Sequence, residues 1–259
     1  MALPTHPELR ITVEGPVGRI VIDAPDRLNA VDLGQLEAMT EAVRALDADP
    51  EVRVVVVTGS GRGFCAGANL AGSGDDPLDD RTLFAAGRLV RAMLGAGTPM
   101  LSLVNGVAAG VGLSIALAAD YCLATASARF VLAFSNIGLM PDGGGTGLVT
   151  ANIGRSRALR MALTAERVDT ETAERWGLVS EVVADEEFEA RGQALVERLA
   201  WLAPGSVAHT KAAITRAAVD VEAALLREEQ GQSALLASED FAAGVEAFFA
   251  RRTPTFRGR

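Results

Sequence analysis

Twice in this chain a short apolar run opens into a glycine-rich turn and leads on to a helix. Val52 to Thr58 runs into Gly59-Ser-Gly-Arg-Gly63, and beyond a loop the spacing predicts a helix over Leu83 to Leu94. Met100 to Val104 is followed by glycine-rich Gly106 to Gly112 and a helix through Ala118. A strand covered on both faces is apolar along its whole length, as in parallel sheets flanked by helices. The chain is therefore read as α/β. With 259 residues, 49% hydrophobic and 22% charged, it can bury a large core as one globular unit.

The flanking segments fit this class. Ile11 to Glu14 and Arg19 to Ile22 surround Gly15-Pro16-Val17-Gly18 and read as a hairpin. Asp32 is placed to cap a helix over Asp32 to Leu46, where Leu33, Leu36, Met39, Val43 and Leu46 recur at helical spacing. Strands are expected at Tyr121 to Ala124 and around Phe130. Beyond about Asp169 the chain reads as mostly helical, with helices over 186–200, 206–219, 221–237 and 239–252 that pack on the core or on a neighbour.

Charge and cysteine usage exclude several functions. The net charge of −9 argues against nucleic acid, because phosphate neutralisation needs a basic surface. Cys65 and Cys122 lack CxxC spacing, and with only His6 and His209 they make no structural metal site or disulfide framework. No leader or membrane-spanning stretch is visible, so the reading is a cytoplasmic protein. Cys65 reads as a packing residue, and Asp75, Asp76, Asp79 and Asp80 as solvated charges in a loop over the site.

Two glycine-rich stretches can present backbone N–H groups. Gly63-Phe-Cys-Ala-Gly-Ala-Asn69 follows a strand, and its small residues let a ligand approach the main chain. Asn105-Gly-Val-Ala-Ala-Gly-Val-Gly112 opens a helix, whose first N–H groups are unpaired and favour negative charge. By themselves these are equally a tight turn and a close helix-to-strand contact. Neither has the GxGxxG or Gly-Lys-Ser/Thr pattern of a nucleotide loop. Gly112-Leu-Ser114-Ile-Ala116 lacks the second glycine of a nucleophile elbow. A third segment, Gly138 to Thr146, carries Asp142 in a Pro-Asp-Gly sequence that also suits an ordinary β-turn.

Taken together, Leu28-Asn29-Ala30, Phe64-Cys-Ala-Gly-Ala-Asn69, Asn105-Gly106 with Gly110 through Asp120, and Pro141-Asp142-Gly with Gly144-Gly145-Thr146 resemble the enoyl-CoA hydratase/isomerase (crotonase) superfamily. The resemblance covers nearly the whole chain, including Ala173-Trp176-Gly-Leu-Val179 and Gly244 to Pro254. It implies a crotonase-like spiral of β-β-α units over 1–200 and a C-terminal helical trimerisation region over 201–259, forming a homotrimer or dimer of trimers. The implied substrate is an acyl-CoA thioester, with coenzyme A part of the substrate and no separate cofactor or metal.

The resemblance also implies residue roles. The backbone N–H groups of Ala66 and Val111 would form an oxyanion hole for the thioester enolate. Leu28, Ala68, Asn69, Leu70 and Gly110 would line the acyl-CoA site, with Arg27 near the adenine and phosphate end. Phe248 and Arg251 of an adjacent subunit would complete that end. Family hydratases carry two glutamates where this chain has Ser114 and Phe134. Serine is a poor base near pH 7 and phenylalanine exchanges no proton. Asp142 stands where family isomerases carry a single acid. The expectation is an enoyl-CoA isomerase with Asp142 as proton shuttle; the alternatives are a hydratase, and an acyl-CoA-binding protein with little catalysis.

Overall fold

The computed structural model describes residues 3–71, 79–218 and 220–258. Asp75 and Asp76 lie outside the described residues. Leu9–Glu14 (β1) and Val17–Ile22 (β2) pair antiparallel with Glu14 opposite Val17, the predicted hairpin. Helix α1, Leu33–Asp47, starts on Asp32, whose carboxylate accepts from the Gln35 N–H at 2.9 Å, while the Gln35 side chain accepts from the Asp32 N–H at 3.1 Å. That reciprocal capping box satisfies two donors at the helix start. Leu36, Met39, Val43 and Leu46 form the buried face.

Three β-β-α units follow. They are Val54–Gly59 (β3), Gly63–Cys65 (β4) and Asp80–Gly95 (α2); Met100–Val104 (β5), Val107–Ala109 (β6) and Val111–Ala118 (α3); and Tyr121–Thr125 (β7), Arg129–Val131 (β8) and Gly145–Thr164 (α4). The chain then forms Val168–Asp169 (β9), Thr170–Trp176 (α5) and Glu181–Val183 (β10). The first strand of each unit joins a six-stranded sheet ordered β1-β2-β3-β5-β7-β10, and the second joins a four-stranded sheet ordered β4-β6-β8-β9. Each unit thus passes from one sheet to the other before its helix begins; Gly59 to Gly63 and Asn105-Gly106 make the first two crossings. The central β3 pairs parallel with both β2 and β5, which is why Val54 to Val57 are apolar and fully covered.

Helix α4 is absent from the sequence reading. Its sequence has no continuous apolar stripe, and Gly154 breaks it at φ 76°. The C-terminal helices Phe188–Ala200 (α6), Pro204–Ala218 (α7), Val221–Leu236 (α8) and Glu239–Phe249 (α9) fall close to expectation, and they pack on this chain's own core. Two glycines permit the last of these contacts. A Cβ on Gly231 of α8 would stand 2.3 Å from the Met140 sulfur, and one on Gly244 of α9 would stand 2.7 Å from the Ile137 backbone. Among the described residues no helix is long and apolar enough to cross a membrane.

Helix α7 is tied down by a buried lysine. Lys211 Nζ pairs with Asp120 Oδ2 at 2.8 Å and donates to the Met93 carbonyl at 3.1 Å. Burial raises the Asp120 carboxyl, and the Lys211 ammonium opposes that rise. Removing one partner of such a pair leaves a poorly compensated charge. Lys211→Ala is expected to destabilise the fold by about 3 kcal/mol, read as a lower urea midpoint; an unchanged midpoint would show that α7 is not anchored here.

Candidate functional site

The segments that follow the second strand of each unit surround a cavity of about 720 Å³. Its lining includes Leu28 from the turn before α1, Ala66, Ala68, Asn69 and Leu70 from and just after the first glycine-rich stretch, Gly110 and Val111 from the second, and Phe134 and Asp142 from the third unit. Helices α8 and α9 close it with Gln232, Leu236, Phe248 and Phe249, joined by Arg251 just after α9. The two glycine-rich stretches meet inside it: a Cβ on Gly110 would lie 3.8 Å from the Gly67 Cα.

This contact decides which N–H groups face the cavity. The Ala66 N–H donates to the Leu28 carbonyl at 2.9 Å, so it is spent on the fold and the assignment of Ala66 as oxyanion donor is corrected. The neighbouring backbone supplies another candidate. Val31 donates to the Gly67 carbonyl and accepts from the Asn69 N–H, both at 2.8 Å, which pairs Val31 with Ala68 as a parallel bridge. The central residue of such a bridge turns its own N–H away from the partner strand. Among the described residues the Ala68 N–H has no acceptor. Across from it, Val111 opens α3 with no side-chain cap, leaving its N–H without an intrahelical acceptor. The Val111 side chain is buried and points toward the Asp142 turn, its Cγ2 3.1 Å from where a Gly143 Cβ would stand.

Asp142 sits in a turn completed by Gly143 at φ 59° and Gly144 at φ 79°, left-handed values that favour glycine. Its Oδ2 accepts from Gln232 Nε2 at 3.1 Å, while its Oδ1 is buried with no partner. Burial first, and then the nearby Glu228 carboxylate, push the Asp142 carboxyl up to about 7, against the lowering effect of the Gln232 bond. Cavity-lining Asp79, by contrast, caps α2 and is held low chiefly by the Arg81 side chain. Cys65 is packed away, its thiol pushed up to about 12 by burial.

Ser114 is also corrected. It is fully buried behind the cavity wall, where its hydroxyl donates to the Asp142 main-chain carbonyl at 2.8 Å. The serine therefore holds the turn that carries the carboxylate. Phe134 is buried and lines the cavity, its ring 3.5 Å from a Cβ position on Gly110.

Arg27 faces the cavity, but its guanidinium is engaged within the fold. It donates to both Glu8 carboxylate oxygens at 2.6 and 2.5 Å, to Gln35 at 2.9 Å and to the Ala30 carbonyl at 2.8 Å. Arg62 and Arg251 line the same cavity, and neither has a carboxylate partner among the described residues. Phe248 and Arg251 come from this chain's own α9 and the residues after it, where the sequence reading expected an adjacent subunit. The sequence reading missed Arg62, Gln232 and Glu228. The signal present for the last two was a polar pair at i and i+4 beside a glycine in an otherwise Ala- and Leu-rich helix.

Comparison with known proteins agrees with this architecture. Residues 12–259 match the family model described as enoyl-CoA hydratase/isomerase. A Rhodobacter capsulatus protein described as a probable enoyl-CoA hydratase is 37% identical over 254 residues, covering 97% of this chain and 98% of its own length. The 1,2-epoxyphenylacetyl-CoA isomerase of Escherichia coli is 35% identical over 254 residues, covering 95% and 97%. The crystal structure of an enoyl-CoA hydratase from Mycobacterium avium subsp. paratuberculosis superposes with a TM-score of 0.91 at 43% identity, covering 96% of this chain and 98% of that one. The fold is crotonase-like, and the chain belongs to the enoyl-CoA hydratase/isomerase family.

Proposed function

We propose that this family member is an isomerase that moves the double bond of an enoyl-CoA through an enolate, with Asp142 as its one base. The observation that carries this reading is the buried, unpartnered oxygen of cavity-lining Asp142, with Phe134 in the wall and Ser114 behind it, neither of them a second acid. Asp142 removes a proton from C2 of a 3-enoyl-CoA, and the electron pair moves into the thioester oxygen. The Ala68 and Val111 N–H groups stabilise the oxygen, the second with the positive end of α3 behind it. Asp142, now protonated, returns the proton at C4, and the double bond forms between C2 and C3. No atom is gained or lost, so one carboxyl is sufficient. A base that titrates near neutrality suits this exchange.

Hydration would need a second group to position and split water. A relative is described as a probable hydratase, and besides Asp142 the cavity lining carries the carboxylates of Asp26 and Asp79. Asp79 caps α2. Its tie to Arg81 favours the ionised form, which cannot donate a proton. Purified protein given 3-enoyl-CoA is expected to form the conjugated 2-enoyl-CoA, seen in the ultraviolet. Turnover of 2-enoyl-CoA to the 3-hydroxy product at a comparable rate would reject the reading.

The coenzyme A phosphates would meet Arg62 and Arg251 rather than Arg27. Arg62→Ala and Arg251→Ala are each expected to raise KM about fivefold while leaving kcat nearly unchanged, as loss of uniform binding requires. Arg27→Ala would instead lower thermal stability through Glu8 and Gln35. A KM effect confined to Arg27→Ala would reverse the assignment.

A further inference from the structure

Gln232 of helix α8 lies 90 residues beyond Asp142 in sequence, yet this helix holds the Asp142 turn from both sides. Gln232 accepts from the Met140 N–H at 3.0 Å and donates to Asp142 Oδ2 at 3.1 Å. One helical turn earlier, the fully buried Glu228 accepts from the Gly144 N–H at 2.6 Å, the Thr146 N–H at 2.7 Å and the Thr146 hydroxyl. Gly231 between them brings the helix down onto Met140. An ordinary capping residue would sit next to its helix in the chain. Here the N-terminus of α4 is capped by a carboxylate from a distant helix, directly behind the proposed base.

We propose that Glu228 and Gln232 are positioning residues for Asp142, acting in opposite electrostatic senses: the Glu228 carboxylate makes Asp142 a stronger base, and the Gln232 amide tempers it. The proposal rests on the isomerase reading for its catalytic meaning, although the geometry stands without it. Burial raises the Glu228 carboxyl, and the three donors from Thr146 and Gly144 oppose that rise by favouring its charged form. Its negative charge acts on a carboxyl already shielded from water, where such effects are strong.

Other charged groups face the pair from several elements. Arg91 of α2 is bound to Glu222 and Glu229. The first turn of α4 carries no titratable side chain, and α9 contributes Asp240, which accepts from the Arg257 and Gly258 N–H groups. On α8 itself Arg227 favours the charged form of Glu228. Across the cavity stand Asp79, bonded to Arg81, and the arginines Arg62 and Arg251.

The test is the titration of the Asp142 carboxyl carbon in full-length protein labelled with ¹³C-aspartate, the signal assigned by its loss in Asp142→Asn. Glu228→Gln is expected to move the midpoint down, raising the acid constant about tenfold. Gln232→Leu is expected to move it up, lowering that constant several-fold. Thr146→Val keeps the main-chain bonds but removes the hydroxyl that favours ionised Glu228, so it gives a smaller downward shift and serves if Glu228→Gln does not fold. The acid limb of the pH–rate profile should move with each midpoint. Unchanged midpoints in Thr146→Val and Gln232→Leu, or shifts of the same sign, would overturn the proposal. Opposite shifts without any isomerase turnover would retain the positioning role and reject the isomerase reading.

Discussion

Asp142→Asn is expected to lower kcat for 3-enoyl-CoA by about 10³-fold while making the protein more stable at pH 8. Positioned acid–base groups contribute roughly 10² to 10⁴ in rate, and here the same group both takes the proton and gives it back. Asparagine keeps the size of the side chain and an acceptor for Gln232, so the loss would report on the proton alone. The stability gain follows from the raised carboxyl. The folded chain holds this proton more tightly than the unfolded chain, whose carboxyl titrates near 4. The contribution to stability is therefore complete below about pH 4 and is lost as pH climbs through about 7. Asparagine never ionises and escapes that loss. Allowing for the partial exposure of the turn, the variant should gain about 2 kcal/mol at pH 8, or roughly 4–8 °C in Tm, and little at pH 4. Equal Tm values at both pH values would show that Asp142 is not held in a raised state.

Replacing the Ala68 amide by an ester, with lactic acid in place of alanine, is expected to lower kcat by about 10² to 10³-fold. The change deletes one N–H and leaves side chain and shape nearly intact, and loss of a single oxyanion donor has effects of this order. The same replacement at Ala66 removes the bond to the Leu28 carbonyl. It should lower Tm, with a much smaller effect on kcat. A larger kcat loss at position 66 than at 68 would restore the donor assignment drawn from sequence.

These two positions illustrate what a sequence of this kind reveals. Glycine-rich stretches after apolar strands announce that backbone donors are available, because tight turns of small residues and the helix starts they lead into leave N–H groups unpaired. They do not say which donor is free: that depended on where the Leu28 and Val31 carbonyls lie, more than thirty residues away in the chain. The longer strands up to β7, the α1 cap at Asp32 and the positions of α6 to α9 were legible because they rest on local periodicity and capping, whereas β4, β6, β9 and β10 are only two or three residues long and show no periodicity. Helix α4 was not, since tertiary contacts hold it in place of an apolar stripe. The charge of Arg27 was visible but its engagement by Glu8 was not. Asp142 stood out as a lone acid in a glycine turn, whereas the side chains that set its environment, Glu228 and Gln232, came from α8, far away in the chain and with no local pattern linking them to it.

The central claim is that one carboxylate, Asp142, carries the chemistry of this cavity. The most direct measurement compares wild type and Asp142→Asn on 3-enoyl-CoA and 2-enoyl-CoA in parallel, with products identified by mass. The predicted result is isomerisation by the wild type, its collapse in the variant, and little addition of water by either protein. Efficient hydration of 2-enoyl-CoA that survives Asp142→Asn would contradict it.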